Sequence, residues 1–190
     1  MQELNETANK LLDAAEHKTQ VLGFNAFSYK DLQDEIGVKT SSIHYYFPTK
    51  QDLMLAMTER YVERFRNTLT DIASSQKKGV KRLELLGDIY IKTVSQGKFC
   101  LCGMLASDLM SLSDRANVKL QEFFALNEAW IAEAIILAKE QGQFRKSLNA
   151  KKAASLFLAM LEGGMLIART QKHTIYLEGA IKQAIEQMKQ

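Results

Sequence analysis

The sequence predicts the all-α fold of a soluble globular protein, and three observations support these two predictions. One proline and ten glycines among 190 residues leave few of the residues that interrupt helices. Apolar residues recur at three- and four-residue spacing along most of the chain, which is the period of a helix with one buried face. Hydrophobic residues make up 46% and charged residues 25% of the chain, which are the proportions of an ordinary soluble globular protein.

The N-terminal stretch, the lack of a long apolar run and the net charge bear on where the protein acts and what it binds. The N-terminal stretch MQELNETANK is polar and lacks the basic start and apolar run of a signal peptide. No stretch approaches the roughly 18 apolar residues of a membrane span. We therefore expect a cytoplasmic protein with no membrane partner. The formal charge of +3 is too small to indicate nucleic-acid binding by itself.

The first two predicted helices have clear ends. Apolar spacing predicts a first helix over about residues 3–22, which Gly23 ends. A second helix begins where Ser28 and Asp31 have the spacing of a capping box. It stops at Gly37, because glycine readily adopts the left-handed conformation that follows a helix.

The next two helices flank the only proline of the chain. Thr40 or Ser41 can cap a third helix, which must end near Phe47 because Pro48 disfavours helical geometry in the residue before it. Thr49 and Asp52 repeat the capping-box spacing and open a fourth helix.

The second and third helices are short and are joined by a tight turn at Gly37, which is typical of a helix-turn-helix. Ile43 and Phe47, four residues apart, would point inward and anchor the third helix. Ser41, Ser42 and Tyr45 would then project toward the major groove of DNA, and either His44 or Tyr46 would share that role. Lys39 and Lys50 are the only formal charges between Gly37 and Gln51, and both are positive. The same spacing also occurs in purely structural helical hairpins.

From Phe24 through Leu53 the chain resembles the TetR family of bacterial transcriptional regulators. The shared pattern is a glycine-aromatic turn, a hydroxyl residue opening the second helix, a Gly-Val turn, and the ending IHYYFPTK at residues 43–50. The resemblance implies an N-terminal three-helix DNA-binding domain over residues 1–50 and a helical effector-binding and dimerisation domain over residues 51–190. It also implies five DNA-facing residues: Ser28, Thr40, Ser41, Tyr45 and Lys50.

Two positions depart from the family pattern. His44 stands where the family most often has tyrosine, and a histidine keeps a hydrogen-bond donor but shortens the reach. Lys39 stands where a small hydroxyl residue is common, and its charge favours a phosphate contact over a base contact.

The second half contains further amphipathic segments. A helix over residues 114–141 is expected to bury a stripe that includes Phe124, with Phe123 and Trp130 flanking it. The helices over about residues 150–170 and 175–189 are the candidate dimer surface, and the resemblance implies a two-fold homodimer through them. Gly163-Gly164 would let another helix approach closely, although the pair could equally serve packing within one chain.

The segment around Cys100 and Cys102 carries the most suggestive chemistry. Two cysteines two positions apart point to different faces of a helix, so a disulfide between them is not expected. Three scattered histidines give no metal-ligand spacing, and we expect no metal and no cofactor. Lys98 and a helix start would favour the thiolate of Cys100. The segment resembles a family subgroup that includes electrophile- and oxidant-sensing repressors, but an inert buried cysteine is the other interpretation.

Together these features predict a homodimeric DNA-binding regulator, a repressor released from a palindromic operator by a small apolar or electrophilic effector. Its candidate pocket or sensor residues are Cys100, Met104, Phe124, Trp130 and Met165. Glu162 and Asp108 are interpreted as solvated or capping acids. The alternative is a helical small-molecule-binding protein or enzyme without operator binding. The sequence contains no nucleophile-base pair and no glycine-rich phosphate loop of the kind that enzymes use. We therefore expect a protein that is not an enzyme.

Overall fold

A computed structural model describes residues 6–108 and 112–189, and these ranges contain helices and no strand. The all-α prediction is therefore confirmed. The elements are α1 Glu6–Leu22, a 3-10 turn Phe24–Ala26, α2 Tyr29–Ile36, α3 Thr40–Tyr46, α4 Lys50–Ser75, α5 Gly79–Ser95, α6 Leu101–Ala106, α7 Asp114–Glu140, α8 Ala150–Gln171 and α9 Ile175–Lys189. Residues 3–5 of the predicted first helix lie outside the described ranges.

The predicted helix boundaries are largely confirmed, with one error at α3. Ser28 caps α2 through a full capping box with Asp31, and Gly37 adopts the left-handed conformation after it, with φ 78°. Helix α3 begins at Thr40, but its capping residue is Lys39 and not Thr40 or Ser41. The reason is a contact from α2: Gln33 Oε1 accepts a hydrogen bond from the Thr40 N–H at 3.1 Å and another from its hydroxyl. An orphan donor of the helix start is thus satisfied without a side-chain cap from α3 itself.

The first of two compact units contains the described residues up to Glu63 together with Leu101–Gln121. The predicted boundary at residue 50, between the DNA-binding and the effector-binding domain, stays a prediction. The two compact units are defined by packing and not by function. Fully buried side chains from α1 to α4 form the core of this unit: Leu11, Leu12, Leu32, Ile43, Leu53 and Met57. Ion pairs join its helices, as Lys18 Nζ lies 2.8 Å from Glu35 Oε2 between α1 and α2. This core fixes α3 from its inner side.

The second unit contains Arg64–Cys100 and the described residues from Glu122 onward. Helices α5, α8 and α9 pack on one another within it. On α7 the fully buried aromatic residue is Phe123, whereas Phe124 is only half-buried, so the predicted stripe is wrong at Phe124 alone. The Phe65 ring of α4 explains the difference, because its centroid lies 5.1 Å from that of Phe123.

Candidate functional site

Helix α3 presents two opposite faces. Ile43 is fully buried and Phe47 nearly so, which confirms that they anchor the helix inward. On the other side Ser41 and His44 are exposed, and Tyr45 has 81% of its surface exposed. The Tyr45 ring packs edge-on against the Tyr46 ring, with centroids 5.0 Å apart, and most of the Tyr45 side chain stays accessible to solvent.

Hydrogen bonds from α2 fix the end of α3. The Tyr29 hydroxyl lies 2.8 Å from Phe47 O and 2.6 Å from Thr49 O, and as a phenol it donates to one of these carbonyls at a time. Burial and the charge of Asp52 raise the pKa of Tyr29, so the phenol stays protonated and remains a donor. Sequence reasoning missed Tyr29 and Gln33, because their partners lie on the following helix and leave no local pattern.

His44 is held beside the same turn. Its Nδ1 lies 3.0 Å from Pro48 O, and because a carbonyl oxygen only accepts, Nδ1 carries the hydrogen. The ring also packs edge-on against Tyr29, with centroids 4.9 Å apart. A phosphate or base contact by His44 would therefore use Nε2. That contact stays a prediction.

The two lysines and Ser28 are placed differently. Lys39 is exposed and is the residue that precedes the first turn of α3. Ser28 Oγ accepts a hydrogen bond from the Asp31 backbone N–H at 3.4 Å as the cap of α2, and its hydroxyl donates to Asp31 Oδ2 at 2.6 Å. This hydrogen bond lowers the pKa of Asp31 and keeps the capping carboxylate ionised. Thr40 and Ser42 are half-buried.

Lys50 points to the 3-10 turn. Its ammonium donates to Phe24 O at 2.7 Å and to Phe27 O, and it lies 4.5 Å and 4.6 Å from the centroids of those two rings. Burial lowers the pKa of Lys50, an effect that Asp31 opposes. The phosphate contact expected of Lys50 stays a prediction, and the structure adds an internal role that the sequence did not indicate: this lysine ties the turn after α1 to the start of α4.

The five candidate pocket residues do not fall in one unit. Met104 belongs to the first unit, where its methyl group lies 3.5 Å from the position a Cβ on Gly23 would take. Cys100, Trp130 and Met165 are buried in the second unit, and Phe124 is half-buried there. Trp130 Nε1 donates to Leu69 O at 3.1 Å, so this indole is already satisfied within the protein. Cys100 lies immediately before α6, and not in its first turn as expected.

The two acids interpreted as solvated or capping groups are not free. Asp108 accepts a hydrogen bond from Asn25. Glu162 is largely withdrawn from water, and Tyr90 Oη donates to its Oε1 at 3.4 Å. Burial raises the pKa of Glu162 to about 7, although hydrogen bonds from Cys100 and Tyr90 act in the opposite direction. The expectation was wrong for Glu162 because the partner residues come from distant parts of the sequence.

The raised pKa of Glu162 predicts a measurable dependence of stability on pH. The folded protein holds this proton up to about pH 7, whereas the unfolded chain releases it near the ordinary value of 4.5. The contribution is therefore present at low pH and lost as pH rises through 7, by up to about 3 kcal/mol. Glu162→Gln cannot ionise, so we expect it to be more stable than the parent at pH 8 and nearly equal at pH 5. Urea unfolding across this range measures the difference.

Glu133→Gln is the matched control, because Glu133 lies on the exposed face of α7. Its stability relative to the parent should not change with pH. A constant difference between Glu162→Gln and the parent from pH 5 to pH 8 would contradict the assignment.

A short helix pair with one anchored and one exposed face has the geometry of a helix-turn-helix. Comparison with known proteins agrees. The family model described as "Tetracyclin repressor-like, C-terminal domain" matches residues 79–184, and the model described as "Bacterial regulatory proteins, tetR family" matches residues 11–57. The chain belongs to the TetR family and is a transcriptional regulator, which is a non-enzymatic role.

Individual relatives cover nearly the whole chain. A TetR transcriptional regulator from Legionella pneumophila is 29% identical, with a TM-score of 0.86 over 98% of this chain and 100% of that one. A TetR-family regulator from Agrobacterium tumefaciens is 22% identical, with a TM-score of 0.91 over 96% and 97% of the two chains. An uncharacterized HTH-type transcriptional regulator in the lacX 3'region of Lactococcus lactis subsp. lactis is 24% identical over 92% of this chain and 89% of its own.

One helix within the described ranges, α8, has the length and apolar composition of a membrane span. Core helices of soluble proteins meet the same criteria, and TetR regulators are soluble DNA-binding proteins. Part of the apolar composition of α8 comes from large side chains on its exposed face, which are Leu156, Leu166 and Ile167.

Proposed function

We propose that this protein is a cytoplasmic homodimeric repressor that binds a palindromic operator through α3 and leaves it when an effector binds the second unit. The observation that carries the proposal is the exposed Tyr45 on a helix whose opposite face is locked by Ile43. Ser41 lies on the same exposed side, and Lys39 supplies a positive charge beside it. Hydroxyl, aromatic and cationic groups at a helix start suit base edges and phosphates.

The outer faces of α8 and α9 support a two-fold dimer. Large apolar side chains are exposed along both helices: Leu156, Leu166, Ile167, Ile175 and Tyr176. On α8 they recur at helical spacing around Gly163, where an added Cβ would meet nothing within 4 Å. Such a stripe is the seam along which a second pair of helices packs closely. A dimer would set two copies of α3 about 34 Å apart, or a multiple of it, which imposes a palindromic site.

We infer a small apolar effector, because the candidate sensor residues of the second unit place aromatic and apolar side chains in or near its interior. Trp130 and Met165 are buried there, and Phe124 lies half-buried on the same helix as Trp130. Release from DNA would follow from a population shift, since an effector that prefers a dimer with wrongly spaced recognition helices weakens operator binding. Coupling of this kind is typically worth about 1–3 kcal/mol, or roughly 5- to 150-fold in affinity.

Tyr45→Ala tests operator binding directly. The operator is first selected from a random DNA pool with the purified protein, and affinity is then measured by fluorescence anisotropy at several salt concentrations. We expect Tyr45→Ala to weaken operator binding about tenfold or more, because the residue loses its base or phosphate contact. Its stability should stay within about 0.5 kcal/mol of the parent, since the side chain is exposed.

Two variants serve as controls for this experiment. Tyr45→Phe removes only the hydroxyl and should fall between the parent and Tyr45→Ala. Lys77→Ala removes an exposed positive charge from the second unit and should leave specific binding nearly unchanged. Selection that yields no preferred sequence, or a Tyr45→Ala variant with undiminished affinity, would contradict the proposal. Lys50 is a poorer probe, since its removal also disturbs the turn at Phe24.

A further inference from the structure

Three side chains from separate parts of the chain meet inside the second unit. Tyr90 comes from α5, Cys100 from the residue before α6, and Glu162 from α8. Tyr90 and Cys100 are each only 3% exposed. The Tyr90 hydroxyl donates to Glu162 Oε1 at 3.4 Å, and the Cys100 thiol hydrogen-bonds to the same carboxyl group. Glu162 Oε2 is buried and has no hydrogen-bond partner among the described residues. Tyr90 and Cys100 therefore both donate a hydrogen bond, and the Glu162 carboxyl group accepts both.

The chemistry of this contact favours the neutral form of Cys100. A thiol can donate its hydrogen to a carboxylate, whereas a thiolate has none to donate. A thiolate would also place a second negative charge against Glu162 in a water-poor interior, where like charges disfavour ionisation strongly. The thiol form therefore gains a hydrogen bond and avoids a repulsion.

Two influences favour a thiolate at Cys100, namely Lys98 and the start of α6. Lys98 is partly exposed, so water screens its charge more than it screens the charge of the largely buried Glu162 carboxyl group. The groups that act on the Glu162 carboxyl are its own burial, Cys100 and Tyr90, and none of them is a positive side chain. The start of a helix favours a thiolate, but α6 has six residues and Cys100 precedes it. That effect amounts to roughly fivefold in ionisation at most, whereas a charge in hydrogen-bond contact changes ionisation by about ten- to a thousandfold. The carboxylate decides the outcome.

We propose that Glu162 locks Cys100 in the protonated, unreactive thiol form, and that Tyr90 holds the Glu162 carboxyl in place. Glu162 is thus a positioning residue that sets the chemistry of a buried cysteine. Of the two interpretations of Cys100, this favours the inert one for as long as Glu162 carries its charge. The proposal concerns the second unit alone and does not depend on operator binding.

The test compares ionisation of Cys100 with and without Glu162. Cys102→Ala leaves Cys100 as the only thiol of the chain. In that background Glu162→Gln keeps the shape of the side chain and removes its charge. We expect the pKa of the Cys100 thiol, measured by ultraviolet absorbance of the thiolate, to fall so that ionisation at pH 8 rises about tenfold or more. The rate of alkylation by iodoacetamide should rise by a similar factor.

Two controls separate the charge of Glu162 from a general loosening of the fold. Tyr90→Phe removes a hydrogen bond but keeps the carboxyl group, so it should not increase ionisation of Cys100. In denaturing urea the parent and Glu162→Gln should titrate alike, because the contact no longer exists. Equal titration of the two folded proteins, or an equal increase in Tyr90→Phe, would overturn the proposal.

The same comparison can be made with both cysteines present if Cys102→Ala does not fold. Alkylation at Cys100 and Cys102 is then resolved by fragmenting the peptide that contains both residues. Glu162→Gln should increase labelling of Cys100 relative to Cys102, and an unchanged ratio would count against the lock. Operator binding is measured separately on the same preparations, so failure of the lock would leave the proposed function standing.

Discussion

Replacing Leu156 and Leu166 together by aspartate should convert the proposed dimer into a monomer and weaken operator binding by about 100-fold or more. The two side chains are 71% and 58% exposed in the single chain, so the substitution should hardly affect the folding of one protomer. In a dimer the same positions would be covered, and four unpaired carboxylates would have to leave water. No stable helix seam can tolerate that cost.

The loss of affinity follows from losing one of two half-sites. A monomer carries a single α3 and can contact only one half of a palindrome, so the second set of contacts is lost. A 100-fold loss corresponds to about 2.7 kcal/mol. Sedimentation analysis measures the mass of the assembly, and operator titration of the same sample measures affinity.

Ile136→Asp provides a control of the same chemistry. Ile136 is exposed on α7, outside the α8–α9 surface, so this variant should remain a dimer with unchanged operator affinity. A double variant that still sediments as a dimer would show that the exposed stripe has another purpose. A monomeric double variant with full operator affinity would instead separate dimerisation from DNA recognition.

The parts of the fold that the sequence predicted correctly are those set by neighbours along the chain. The capping box at Ser28 and the left-handed Gly37 involve residues within a few positions, so their patterns can be read directly. The inward direction of Ile43 and Phe47 follows from helical spacing alone. These local features were enough to delimit α2 and α3 and to orient the exposed face of α3.

The features that the sequence did not reveal have a common cause, which is contact between residues that are distant along the chain. Phe123 and Phe124 are adjacent and equally apolar, and only the Phe65 ring of α4 selects the first for the core. Lys50 is a basic residue at the end of a recognised motif, yet its ammonium is taken up by carbonyls more than twenty positions earlier. The environment of Glu162 likewise depends on Tyr90 of α5. Residue type and spacing carry no information about such partners.

Gly79→Ala should destabilise the second unit by about 3 kcal/mol or more. A Cβ at this position would lie 2.4 Å from both Ala134 O and Ala138 N, which are backbone atoms of α7. No flexible side chain can yield, so α5 and α7 would have to separate, and overpacking of this kind costs about 1–3 kcal/mol or more. The shift would also strain the hydrogen bond from Gly79 N–H to Gln141 Oε1, which is 3.0 Å long.

Helix propensity alone predicts that Gly79→Ala stabilises the protein, because alanine is favoured over glycine in a helix by up to about 1 kcal/mol. Within the single chain Gly179→Ala isolates that term, because a Cβ there would meet nothing within 4 Å. Gly179 lies on α9, so the mass of the assembly must match that of the parent for this comparison. We expect Gly179→Ala to be as stable as the parent or slightly more stable, and Gly79→Ala to be much less stable. Urea unfolding of both at one protein concentration, with the assembly mass checked, measures the contrast. Only the close backbone contact between α5 and α7 makes Gly79→Ala destabilising. If Gly79→Ala were as stable as the parent, that contact could not exist as the structure gives it.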